Sequence, residues 1–120
     1  MRHEVNGAIE HLRKAVELKG ATPAALSTLA WILATNSNSA IRNGDEAVKL
    51  AEEACRQTND TAPSALESLA AAYAEVGRFD SAYATAEKAF KLAMAAGLRG
   101  QAERINQAAV LYKDHRPFYQ

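Results

Sequence analysis

Two stretches of this 120-residue chain share one spacing of large and small residues, and a third stretch carries half of it. Leu66, Leu69, Ala70 and Tyr73 are followed by Gly77, Phe79, Ala82, Ala86 and Ala89. Leu26, Leu29, Ala30 and Leu33 are followed by Ala47, Ala51 and Ala54. Ahead of both, Ala8, Leu12 and Ala15 match the second half of the unit. Intervals of three and four place each set on one face of a helix. A longer interval also recurs: Ala8 to Pro23 spans 15 residues, Ala47 to Pro63 spans 16 and Ala82 to Gly97 spans 15. An ordinary helix bundle shows helical periodicity too, but it does not require a common interval. A helix hairpin cannot bury its apolar face alone, whereas stacked hairpins form a continuous core. The pattern therefore predicts an all-α solenoid of stacked antiparallel helix hairpins.

The composition agrees. Ala supplies 27 residues. It has the highest helix propensity and a small side chain, so an Ala-rich interior implies close helix–helix contact. β-Branched and aromatic residues are too sparse for a sheet. With 14 basic and 14 acidic residues the charge is balanced, which argues against a nucleic-acid footprint. No apolar run reaches the roughly 18 residues needed to cross a bilayer, so membrane insertion by this segment is not expected. Met1 to Glu4 has no signal-peptide core. The expectation is a soluble, cytoplasmic segment, with export of a larger parent left open.

Six helices follow from the pattern: 4–18, 22–35, 45–58, 63–76, 80–96 and 98–114. Gly20 is expected to end the first. Thr22 and Pro23 start the second, as N-cap and first helical residue. Residues 36–44 are rich in turn formers. Asp80 is the expected cap of the fifth helix, and Pro117 closes the sixth. The single domain, 1–120, divides into a half repeat at 4–19, a repeat with an enlarged turn at 22–58, a repeat at 62–96 and a C-terminal capping helix at 98–115.

These residues resemble the tetratricopeptide repeat, a helix pair with large residues in its first helix and small ones in its second. Pro23 to Pro63 is 40 residues, against about 34 for that family, with the excess mainly in 36–44. The segment from Leu29 to Asn36, with Arg42 to Ala51, is similar to the C-terminal repeats of large bacterial tetratricopeptide proteins. By that resemblance Ala30 and Ala70 sit where the helices of a hairpin cross, and Phe79 and Phe90 pack between repeats.

The resemblance also implies a concave groove lined by the first helices, which commonly holds a peptide. The groove positions fall on Ala24, Ser27, Trp31, Ala34 and Thr35, then on Ser64, Glu67, Ala71, Ala74 and Glu75. The candidate contact residues are Ser27, Trp31, Thr35, Ser64, Glu67 and Glu75, a small, polar and mildly acidic set. One subtype grips acidic C-terminal tails with groove cations, which pair with carboxylates. Here Ser27, Trp31, Ser64 and Ser68 hold those places, so that clamp is missing. Trp31, the single Trp, has two readings. It is a rigid interface anchor, or it is core packed beneath loop 36–44 or the preceding helix.

Nothing in the sequence points to catalysis, a metal or a cofactor. His3, His11 and His115 lack ligand spacing for zinc. Glu52, Glu53, Glu67, Glu75 and Glu87 read as solvated helix faces, and phosphate loops, nucleophile elbows and zincin motifs are absent. Cys55 has no partner cysteine and reads as a small buried hydrophobe. The first helix leaves an apolar strip, Val5, Ile9 and Val16, without the helix that a full repeat would supply. Such a strip marks an interface or a symmetric pairing. The expected function is a non-catalytic scaffold that binds a protein or peptide. The alternative is a self-association module, a possible homodimer, within a larger protein.

Overall fold

The computed structural model describes residues 2–17 and 21–120, with side chains from residue 6 onward in the first stretch. It is all-α. The helices are α1 (Arg2–Glu17), α2 (Pro23–Thr35), α3 (Gly44–Gln57), α4 (Pro63–Glu75), α5 (Phe79–Ala95) and α6 (Arg99–Lys113), and no strand occurs among the described residues. Each lies within one residue of the boundaries that the periodicity predicts, except that α1 begins two residues early. Gly20 lies outside the described residues.

Local chemistry accounts for the starts. Thr22 has extended backbone, and its hydroxyl accepts from the Ala25 amide at 3.1 Å, ahead of Pro23 at the first helical position. Asn43 caps α3 by accepting from the Glu46 amide at 3.2 Å. Asp45 and Glu46 then place negative charge at the positive end of the helix. The start of α5 differs from expectation. Arg78 occupies its cap position and makes no side-chain bond, and Asp80 lies inside the first turn. The turn from α4 to α5 is too short for Asp80 to precede the helix.

Four helices end in the same way. After α3, α4, α5 and α6 the chain passes through a left-handed residue: Asn59 (φ 54°), Gly77 (φ 82°), Gly97 (φ 77°) and His115 (φ 58°). At each, the following amide returns to a carbonyl one turn back: Asp60 to Cys55, Arg78 to Tyr73, Leu98 to Ala93 and Arg116 to Leu111. This is the paired hydrogen bonding of a Schellman cap, which reverses the chain sharply. Gly accepts positive φ freely, and Asn tolerates it. His115 is the unusual occupant. Its ring stacks on Phe79, with centroids 5.3 Å apart and planes 6° from parallel. α2 ends instead at an extended Asn36 (φ −60°, ψ 136°).

Helix α2 packs against α1, α3 and α4, while α4 packs against α2, α3, α5 and α6. Three-residue links such as those on either side of α5 join antiparallel neighbours. Small residues permit the close approach. Ala30 and Ala70 are 0% and 1% exposed, and Ala47, Ala51, Ala54, Ala82, Ala89 and Ala93 are all fully buried. Leu29, Leu33, Ile105 and Tyr112 are the large residues that complete this core. Phe79 and Phe90 pack on it, partly buried.

Candidate functional site

The six expected groove positions lie on α2 and α4. Ser27, Trp31 and Thr35 follow one another at four-residue intervals on α2. Ser64, Glu67 and Glu75 lie on α4. Ser27, Trp31, Ser64 and Glu67 line a cleft of about 270 Å³, together with Thr28, Ser68, Arg104 and Gln120. The Ser68 hydroxyl donates to the Ser27 carbonyl at 3.0 Å and ties the floor of the cleft across the two helices.

Thr35 and Glu75 lie further along. The Thr35 side chain is fully buried and donates to its own helix, at the Trp31 carbonyl (2.7 Å). Only the backbone carbonyl of Thr35 faces the groove.

Both carboxylates have arginine partners, so the groove is not acidic. Arg104 of α6 grips Glu67 with two hydrogen bonds: Nε donates to Oε2 at 2.7 Å and Nη2 donates to Oε1 at 2.8 Å. Gln101 donates both to Glu67 Oε1 (3.2 Å) and to Ser64 Oγ (3.0 Å). The bond to Glu67 raises the Arg104 pKa above its ordinary value. The face of α6 carrying Gln101 and Arg104 thus turns partly to α4. Arg42 donates from Nε to Glu75 Oε2 at 3.1 Å and from Nη1 to the Asn36 carbonyl at 2.8 Å. The loop between α2 and α3 places it there. Asn36 and Asn38 accept from the amides of Asn38 and Ala40, and the Asn43 amide returns to Leu33 at 2.8 Å.

The groove also holds a segment of the chain itself. Beyond the left-handed turn at His115, residues 117–120 run back over α2 and α4. The Phe118 ring lies 5.6 Å from that of Trp31, tilted by 36°. The Tyr119 hydroxyl donates to Glu75 Oε1 at 2.7 Å, and the Arg42 guanidinium sits 4.0 Å over the Tyr119 ring. The Gln120 amide donates to the Thr35 carbonyl at 2.7 Å. Burial and the bond to Glu75 push the Tyr119 phenol above its ordinary pKa. Trp31 is half-buried, resting on the core on one side and facing Phe118 on the other.

Arg42, Arg104 and residues 118–120 are the parts that sequence reasoning missed. One signal was present. Pro117, Phe118 and Tyr119 put apolar bulk beyond the last helix with no helical period to use it.

At the other end, Ile9 and Val16 are half-buried and pack against the core. The side chain of Val5 lies outside the described residues. Among the described residues, the large apolar side chains left open are Met94 (47%), Leu98 (45%) and Val110 (58%), on α5, α6 and the turn between them, with Tyr119 (41%) beyond α6. Cys55 is buried, and burial pushes its thiol up to about 11. Among the described residues, no three His, Cys, Asp or Glu side chains are grouped to hold a metal ion. Nor is any helix there long and apolar enough to cross a membrane. What the groove offers is an aromatic shelf, a backbone acceptor at Thr35 that the Gln120 amide occupies, two arginine–glutamate pairs and a row of hydroxyls.

No protein-family model, curated protein or solved structure matches the chain.

Proposed function

We propose that the chain is a tetratricopeptide-like solenoid, with α6 as its cap, that binds an extended peptide in the groove along α2 and α4 and catalyses no reaction. One observation carries this reading: the groove already receives an extended segment, residues 118–120, through one backbone hydrogen bond and two ring contacts. The order of packing supports the solenoid, since α4 touches both helices of the preceding pair and α6 caps the following one. A surface preformed on packed helices loses little entropy on docking.

The test uses extended peptides of one length that differ in charge and in aromatic content. Binding is read by fluorescence anisotropy on the native chain and on Glu75→Lys. Because each groove carboxylate has an arginine, peptides of opposite charge should differ little, while aromatic content should matter. At least a tenfold loss of aromatic-peptide binding on Glu75→Lys is expected. Binding that ignores this substitution, or that tracks peptide charge alone, would overturn the reading.

A second reading, self-association, is favoured by a separate observation. Val110 flanks a groove of about 540 Å³ between α5 and α6, lined also by Tyr83, Phe90 and Ala109. Exposed apolar surface of this kind marks interfaces. A dimer that sediments as a monomer after Val110→Asp would favour this reading, and a native monomer at high concentration would remove it.

A further inference from the structure

The groove contacts point to a regulatory arrangement and to the chemistry of the partner. We infer that residues 118–120 are a tethered, displaceable occupant, and that the groove's external ligand is an extended peptide carrying two adjacent aromatic residues. This rests on the peptide-binding reading and adds what the peptide must look like and what it must displace.

The seat is specific. The first aromatic lies against Trp31, with ring centroids 5.6 Å apart and planes tilted by 36°. The second is held at both ends, with its ring under Arg42 and its hydroxyl on Glu75. A guanidinium over a tyrosine ring is an attractive pairing in its own right. The next amide meets the Thr35 carbonyl, which fixes the register of an extended backbone. These contacts come from α2, α4 and the loop between α2 and α3, three separate parts of the chain. Arg42 serves both Glu75 and the ring, so the loop insertion acquires a role in the seat.

The hold is also light. Phe118 is half-buried, Tyr119 is 41% exposed, and two hydrogen bonds, one of them from the backbone, and two ring contacts secure the segment. Ordering these residues costs conformational entropy that so few contacts offset only narrowly. The tether compensates, because a short linker gives an effective concentration in about the millimolar range. An external peptide with the same aromatic pair therefore competes with a weakly held neighbour. The cleft beside Gln120, with Ser27, Ser64 and Arg104 in its walls, adjoins this seat.

The test uses the full chain and its double variant Phe118→Ser/Tyr119→Ser. The probe is a fluorescein-labelled, C-terminally amidated peptide of residues 114–120, Asp-His-Arg-Pro-Phe-Tyr-Gln. A control peptide carries Ser for both aromatics. The double variant should bind the aromatic probe at least tenfold more tightly than the native chain does, and neither chain should bind the control. Equal affinity of the two chains for the probe would overturn the tethered-occupant proposal. If another peptide still binds both chains through Glu75, peptide binding itself survives that result. No groove-dependent binding of any peptide by either chain overturns the underlying reading as well. Should the double variant fold poorly, the native chain supplies the answer. Saturating probe should speed hydrogen exchange at the Gln120 amide at least tenfold, and unchanged exchange would overturn the proposal.

Discussion

Glu67 and Arg104 face one another across the α4–α6 junction with both guanidinium–carboxylate bonds formed, at 2.7 and 2.8 Å. The side chains are unequally buried: 8% of Glu67 is exposed against 50% of Arg104. Removing the arginine strands a desolvated carboxylate, which costs more than the pair itself is worth. Arg104→Ala should therefore destabilise by about 1–3 kcal/mol. The double substitution Arg104→Ala/Glu67→Gln should recover part of that loss. Urea denaturation of the three chains checks this, and a double variant less stable than Arg104→Ala would contradict it.

Ala70 sits at 1% exposure in the core and Ala84 on the open face of α5. Ala70→Leu should cost roughly 1–3 kcal/mol through overpacking. Ala84→Leu should stay within about 0.5 kcal/mol of the native chain. Thermal melts of the two variants decide it, and equal shifts would mean that the faces are misassigned.

Gly44 opens α3 against the end of α4. A Cβ there would lie 2.7 Å from Val76 Cγ1 and 3.0 Å from Glu75 Cγ. Val76 is β-branched and stiff, so Gly44→Ala should destabilise by about 1–2 kcal/mol, although Ala is ordinarily the better helix former. A neutral or stabilising effect in a urea melt would count against the close contact of α3 with α4.

The Cys55 thiol, pushed up to about 11 from 9.0 by burial, should react slowly with a disulfide reagent. At pH 8 such a shift leaves about a hundredfold less thiolate than an ordinary thiol has. The rate should rise steeply in denaturant. Rapid labelling of the native chain would show that the α3 face is open.

The tail should respond to alkali. The folded-state pKa of Tyr119 is raised above its ordinary 10. Docking therefore favours the protonated phenol, is fully supported below that value, and weakens as pH rises through the folded pKa. Deprotonation also sets a phenolate against the Glu75 carboxylate. Trp31 emission should change above about pH 10 while helix content holds, and Tyr119→Phe should remove that step. Persistence of the step in Tyr119→Phe would assign it to another group.

The helices were legible because their determinants are local. Thr22 with Pro23, Gly77 and the alanine spacing each act within a turn or two of chain. The groove was legible in part. Ser27, Trp31, Ser64 and Glu67 do line one cleft, since helix register carries them there. What could not be read was the partner of each charge. Glu67 meets Arg104, 37 residues away, and Glu75 meets Arg42, 33 residues away. Such pairings depend on how helices stack, and nothing in the local pattern encodes them. The expected mildly acidic groove was therefore a count of carboxylates without their arginines. The return of residues 117–120 rests on His115 adopting a left-handed backbone, a conformation that its residue type does not advertise.

The central claim is that residues 118–120 lie in the groove against α2. A two-dimensional nuclear Overhauser spectrum of the native chain tests it directly. With ring centroids 5.6 Å apart, cross-peaks are predicted between the Trp31 indole and the Phe118 ring protons, lost in Phe118→Ser. Absence of those cross-peaks, with Phe118 and Tyr119 at the shifts of an unstructured peptide, would contradict the account.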